Sequence, residues 1–237
     1  MPDVIVCLPT YNERENLESM VRALAPHGYR ILVVDDNSPD GTGEIADRLA
    51  AELDLVSVLH RPEKQGLGPA CIAGFKQALA DGAEIVVEMD SDFSHDPADV
   101  PRLVHAVESG ADFALGSRYV KGGGTVDWGL GRRVLSRGAS IYGRTILSVE
   151  LHDVTAGFTC YRRSVLERLN LDSIASQGYV FQIEMKYRAL RRGFKVAEVP
   201  IVFAERRDGK SKMTRAIVLE AVWKVPLLRV AALRGEL

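Results

Sequence analysis

Apolar runs bounded by turn residues alternate with helical patterns through the first half of the chain. Val4 to Leu8 precedes a helical pattern from Arg14 to Leu24, and Ile31 to Val34 precedes one from Glu44 to Leu53. Val56 to Leu59 is followed by Pro69 to Leu79, and Ile85 to Met89 by Val100 to Val107. The strand candidates are near-continuous runs rich in Val and Ile rather than apolar–polar alternations. That pattern predicts an α/β fold whose mostly parallel sheet is covered by helices on both faces. Ligands of such sheets lie at the carboxyl ends of the strands. The residues there are polar: Pro9-Thr10-Tyr11-Asn12-Glu13, Asp35-Asp36-Asn37-Ser38-Pro39-Asp40-Gly41, Arg61-Pro62-Glu63-Lys64-Gln65-Gly66 and Asp90-Ser91-Asp92.

Beyond Gly116-Ser117-Arg118-Tyr119 the alternation fails, as if the core fold were complete by then. Gly122-Gly123-Gly124 leads to Trp128 and a basic helical stretch from Arg132 to Val149. Asp153 to Phe158 reads as a loop and Val196 to Phe203 as a strand. Tyr179 to Arg191 reads as an amphipathic helix with Val180, Ile183, Tyr187 and Leu190 on one stripe. A basic segment, Arg206 to Lys212, precedes a last apolar helix from about Ala216 to Leu233. No repeat, low-complexity tract or linker interrupts the 237 residues, so they are expected to form a single domain.

Composition is that of an ordinary globular chain, with 46% hydrophobic and 26% charged residues. The net charge of −2 hides an asymmetry: residues 1–117 hold 8 basic and 21 acidic side chains, residues 118–237 hold 22 and 11. An acidic half suits a cation, a basic half suits phosphates or an anionic surface. Cys7, Cys71 and Cys160 lack metal or redox spacing and read as buried thiols in a reducing compartment. Neither a signal peptide nor a transmembrane helix is expected, and the basic half carries no nucleic-acid recognition motif.

Asp90 and Asp92 close the fourth strand, where the period of two can aim both carboxylates to one side. Paired carboxylates suit Mg²⁺ or Mn²⁺, which complete their shell with water and substrate phosphates. Taken alone an Asp-x-Asp is as readily a solvated turn, and His95 can equally approach that site or start the helix after Asp96-Pro97. Asp35 and Asp36 can accept hydrogen bonds from a nucleoside or organise the turn that follows them. No dinucleotide-binding glycine loop and no P-loop is present, which removes the main support for a dehydrogenase or an NTPase.

Together these motifs, with Gly178 to Met185, Glu198-Val199-Pro200-Ile201 and Arg206 to Lys212, resemble the inverting GT-A glycosyltransferases of family 2. More closely they are similar to the polyprenol (dolichol) phosphate mannose synthases, which use GDP-mannose. The resemblance implies a GT-A, Rossmann-like fold with C-terminal amphipathic helices. It implies that Pro9, Tyr11, Glu13, Val34 and Asp36 form the guanosine pocket. Asp90, Ser91 and Asp92 would hold the metal and diphosphate, and Arg118, Arg132, Arg206 and Lys212 would line the phosphates. Residues 1–117 would then be the nucleotide- and metal-binding half and 118–237 the acceptor half.

A lipid monophosphate is already an oxyanion, so catalysis is expected to rest on electrostatics and positioning by Asp92, Arg118 and Arg132, without a general base. Two helices offer landing surfaces for a polyprenyl chain at a membrane interface. One carries Arg132, Arg133, Arg137 and Arg144 with Val134, Leu135 and Ile141. The other carries Ile217, Val218, Val222, Trp223, Leu227 and Leu228, with Pro226 expected to bend it. Either helix could instead face the core. The partners expected are GDP-mannose, a polyprenyl phosphate and a peripheral membrane contact on the cytoplasmic face, where a membrane-anchoring protein could add hold. The alternatives are UDP-glucose as donor, a non-lipid acceptor, or a non-catalytic nucleotide-sugar binding module.

Overall fold

The computed structural model describes residues 3–174, 176, 178–205, 215–235 and 237. Its elements are β1 (Val4–Thr10), α1 (Leu17–Leu24), β2 (Arg30–Asp35), α2 (Thr42–Glu52), β3 (Val56–His60), α3 (Leu67–Ala80), β4 (Ile85–Glu88), α4 (Val100–Glu108), β5 (Phe113–Ser117), β6 (Gly124–Thr125), α5 (Leu130–Leu147), β7 (Thr159–Arg162), α6 (Arg163–Arg168), α7 (Gly178–Arg191), β8 (Val196–Pro200), β9 (Val202–Phe203) and α8 (Arg215–Leu233). Seven strands form one sheet in the order β3-β2-β1-β4-β7-β5-β8, and β6 pairs with β9 in a small parallel sheet.

The four strand–helix units fall where the apolar pattern places them. β1, β2 and β4 are buried along nearly their whole length, as expected of central strands covered on both faces. Their side chains divide by alternation. Ile5, Cys7, Leu32 and Val34 enter one core with α3 and α7, while Val4, Val6, Leu8, Ile31 and Val33 enter the other with α1, α2 and α4. All three cysteines are free and buried.

Three expectations are corrected. The core fold is not complete by residue 117: β7 inserts antiparallel between β4 and β5, and β8 extends the sheet beyond β5, so the second half supplies both. The helix α7 is not amphipathic in position; besides its apolar stripe it buries Gln182, Glu184, Lys186 and Arg188. The strand expected over 196–203 breaks at Ile201, whose N–H turns to the Ser117 carbonyl, and β9 leaves to pair with β6. α8 runs through Pro226 as one helix.

Candidate active site

The parallel register brings the ends of β1 and β2 side by side, pairing Pro9 with Val34 and Thr10 with Asp35. Asn12 and Asn37, just past the two strands, take left-handed backbone (φ 56° and 58°), where asparagine is tolerated better than most residues. Glu13 is buried, accepts from Asn16 Nδ2 at 3.1 Å, and donates its N–H to Thr42 Oγ1 at 3.0 Å. The Lys64 ammonium sits 3.6 Å over the Tyr11 ring. Val34 is fully buried with its Cγ2 against Gly74 of α3, so its side chain belongs to the core. Asp36 accepts from Arg61 Nη1, from Gln65 N at 3.1 Å and from Gly66 N at 2.9 Å, which ties residues 61–66 to the end of β2. Gly66 (φ 99°, ψ 176°) occupies backbone space nearly closed to other residues.

At the end of β4, Asp90 is half-buried, and Ser91, Asp92, Ser94 and His95 are buried. Asp92 Oδ1 accepts from Ser94 N at 3.0 Å and Ser94 Oγ at 2.5 Å. The loop that allows this carries Phe93 at φ 60°, a strained conformation for a bulky residue that costs ~1–2 kcal/mol. His95 lies between Phe158 and Phe203, with ring centroids 5.0 and 5.1 Å away. Burial holds its imidazole at about 4, although nearby Asp92 works the other way. It therefore packs with the 90–95 loop rather than starting the next helix, where Asp96 instead caps the turn by accepting from Ala98 N.

Facing this loop is an arginine whose place is fixed in advance. Asp153 receives Arg118 N at 3.0 Å, Nε at 2.7 Å and Nη2 at 2.6 Å, and Nη2 also reaches Thr155 Oγ1 at 2.8 Å. Burial opposes both charges, but each partner outweighs it, so the guanidinium is held above and the carboxyl below its ordinary value. Arg118 also lies 5.4 Å from the Phe203 ring and 5.7 Å from the Trp128 ring, while Arg132, in the first turn of α5, stacks 4.1 Å over Trp128. Phe203 thus touches both His95 and Arg118, and Ala204 N donates to Ser94 O at 3.1 Å. A second carboxylate pins the Asp153 loop: Glu198 accepts from His152 N at 2.8 Å and Asp153 N at 3.1 Å. A Cβ on Gly123 would lie 2.4 Å from Ser117 O, so only glycine lets the chain pass there.

The sequence expectations thus meet in two groups: Pro9, Tyr11, Glu13 and Asp36 at the β1–β2 end, and Asp90, Ser91, Asp92, Arg118 and Arg132 across the β4–β5 end. Arg206 and Lys212 lie outside the described residues. Sequence reasoning passed over Asp153, Thr155 and Glu198, which hold Arg118, and Arg61, which holds Asp36. Only Arg61 directly follows a strand; Asp153 and Thr155 come after α5 and Glu198 lies within β8, and their partners lie 25 to 46 residues away in the chain.

Residues 5–169 match the protein family described as Glycosyl transferase family 2. The chain belongs to this family. Among its family 2 relatives, the polyprenol monophosphomannose synthase of Mycolicibacterium smegmatis is 51% identical over 224 residues, covering 93% of this chain and 84% of the relative. The undecaprenyl-phosphate mannosyltransferase of Micrococcus luteus is 47% identical over 232 residues, covering 97% and 95%. A mannosyltransferase of Pyrobaculum calidifontis, solved with GDP-Man and Mn²⁺, superposes over 99% of this chain and 74% of its own with a TM-score of 0.57 at 19% identity, a likeness of GT-A fold.

Proposed function

We propose that the protein transfers mannose from GDP-mannose to a polyprenyl monophosphate with inversion, giving a β-linked mannosyl phosphate lipid. The observation that carries the reading is that one helix joins a phosphate-seeking cation to a lipid-compatible surface. Of the twelve large apolar side chains exposed among the described residues, nine lie on α5 and α8, including Leu130, Val134, Trp223 and Leu227. These helices pack on each other, and the first turn of α5 carries the Arg132 that stacks on Trp128, the ring Arg118 also approaches. α8 is apolar on its inner side as well, through Val225, Leu228 and Ala232, so its outward apolar residues are in excess of what the core needs.

The donor set suits a hard divalent cation. Asp90 and Asp92 supply carboxylate oxygens, and Ser91 Oγ is buried without a hydrogen-bond partner among the described residues. Those residues contain no cluster of three or more His, Cys, Asp or Glu side chains that could hold a metal. Two carboxylates plus substrate oxygens is the arrangement Mg²⁺ and Mn²⁺ accept. Such an ion, held by Asp90 and Asp92, would supply charge neutralisation for a departing nucleoside diphosphate.

The chain's own residues do the rest. Asp36 keeps the 61–66 loop beside Tyr11, closing the base side of the donor site. Arg118 and Arg132 offset the repulsion between two anionic substrates and orient the acceptor oxyanion for in-line attack. Since Arg118 spends Nε and Nη2 on Asp153 and Thr155, Nη1 is the nitrogen it presents. No general base is needed, because the acceptor phosphate is already ionised near neutral pH (second pKa ~6). Residues 1–117 serve the nucleotide and cation, and residues 118–237 the acceptor. No helix among the described residues is long and apolar enough to cross a membrane; peripheral contact through α5 and α8, at the cytoplasmic face, fits a lipid acceptor.

The test is transfer of radiolabelled sugar from GDP-mannose, and separately UDP-glucose, to a short polyprenyl phosphate with Mg²⁺ or Mn²⁺, comparing wild type with Asp92→Ala. Metal-dependent mannolipid absent from the variant supports the reading. Glucolipid alone replaces the donor, and product only with water-soluble acceptors replaces the lipid.

A further inference from the structure

Behind the two carboxylates of the metal loop, the core buries a chain of ionisable and polar groups that the transfer reaction does not itself use. Glu88, the last residue of β4, accepts from Cys71 Sγ at 3.1 Å, from Thr159 Oγ1 at 3.1 Å and from Gln182 Nε2. Gln182 belongs to α7, and one turn later the Lys186 ammonium donates to Gln182 O at 2.9 Å and Ala156 O at 2.6 Å, with Gln182 Oε1 at 3.4 Å. Gln182 therefore bridges a buried carboxylate and a buried ammonium. Both are almost wholly inaccessible, at 2% for Glu88 and 1% for Lys186. A fully buried lysine is rare, and an apolar residue would fill the same space at lower desolvation cost.

What distinguishes this lysine is where its hydrogen bonds end. Ala156 comes immediately after Thr155 and three residues after Asp153, the two side chains that grip Arg118. Glu88 lies two residues before Asp90 on the strand that presents the metal loop. The sequence of contacts from Glu88 through Gln182, Lys186 and Ala156 to Arg118 crosses from one side of the proposed reaction centre to the other. β4 and β5 are joined through β7, which pairs with both, so the sheet sets the spacing of the strands, whereas the 153–156 loop lies outside those ladders and is placed by its own contacts. Burial pushes the Lys186 ammonium down to about 8, opposed by Glu88 and Asp153 and reinforced by Arg118.

We propose that Lys186 is a positioning residue for sugar transfer: by tying the 153–156 loop to α7 and, through Gln182, to Glu88, it sets Arg118 at its working distance from Asp90 and Asp92. This inference rests on the function proposed above for that site, but the placement of Arg118 can be read without any substrate. Trp128 lies against Arg118, and the chain has only two tryptophans. In a Trp223→Phe background, Trp128 emission and its acrylamide quenching report the packing around Arg118.

The experiment introduces Lys186→Met, which keeps an unbranched side chain, one atom shorter, and removes its charge. A second variant, Lys186→Met with Glu88→Gln, leaves neither buried charge unpaired and guards against a failure to fold. Both are assayed at low temperature, where circular dichroism confirms the folded state. The expected result is a fall in kcat of at least tenfold with KM for GDP-mannose within threefold of wild type, together with altered Trp128 emission, in both variants. If the double variant regains thermal stability and also regains kcat, Lys186 is merely structural and the proposal is overturned. Unchanged emission and quenching of Trp128 overturns it as well. Should the wild type itself make no mannolipid, the proposed function fails; altered Trp128 emission in both variants would still support placement of Arg118 by Lys186.

Discussion

Arg118 and Asp153 meet as a buried fork, with Nε and Nη2 of the guanidinium on the two carboxylate oxygens at 2.7 and 2.6 Å and the Arg118 N–H on one of them as well. Neither side chain is free to search for a partner: Asp153 is wholly inaccessible, and Arg118 is packed among Tyr119, Trp128 and Phe203. A cation held this way needs no reorganisation when an anion arrives, and that is the condition under which charge contributes most to catalysis.

Removing one member of that pair leaves the other charge buried and unpaired. Asp153→Asn should destabilise the fold by about 3–5 kcal/mol, read as a lower urea midpoint with an unchanged slope. Arg118→Lys keeps the charge but loses the fork. It should remain folded while kcat falls by roughly 10²-fold, the range seen when one preorganised donor is lost. Arg118→Lys with wild-type turnover would show that the charge alone suffices.

The ends of β1, β2 and β4 could be read from the chain because a buried parallel strand is an unbroken Val/Ile run, and its polar residues begin where the ligand edge begins. β7 could not: Thr159–Arg162 is four residues long, ends on an arginine, and gains its place only by pairing with two strands already laid down. The polar face of α7 was equally hidden. Periodicity assigns Gln182 and Lys186 to solvent, and only the tertiary structure brings Glu88 and Ala156 to them. The left-handed Phe93 left no trace either, since glycine or asparagine is what a sequence normally shows at such a position.

Asp36 holds three donors of the 61–66 loop at once. Asp36→Ala strips all three of their acceptor. Because hydrogen bonds to a charged group contribute about 1.5–3 kcal/mol each, the loop should loosen and the KM for GDP-mannose rise roughly tenfold or more, with kcat retained. Faster tryptic cleavage after Lys64 would accompany the change, since the bond after Arg61 leads into Pro62 and resists trypsin. A wild-type KM would separate the loop from donor binding.

The outward residues of α8 can be changed without touching the core. Trp223 is 74% and Leu227 63% exposed, so Trp223→Ser with Leu227→Ser should alter stability by no more than ~0.5 kcal/mol per site. Cosedimentation with anionic vesicles should drop, and the KM for a long-chain polyprenyl phosphate should rise while turnover on a short water-soluble analogue is unchanged. Equal loss on both acceptors would place the effect in the reaction centre instead.

His95 gives the 90–95 loop an acid limit. Its folded-state value of about 4 lies below the 6.5 of the free side chain, chiefly because burial disfavours the imidazolium. As pH falls the unfolded chain takes up this proton first, so the stability His95 contributes is complete above about 6.5 and is lost as pH drops through the folded value. Urea midpoints measured between pH 7 and 4 should therefore decline. The decline should be shallower in His95→Phe, which keeps an aromatic ring between Phe158 and Phe203. Parallel curves for the two proteins would assign the acid sensitivity to carboxylates elsewhere and remove His95 from it.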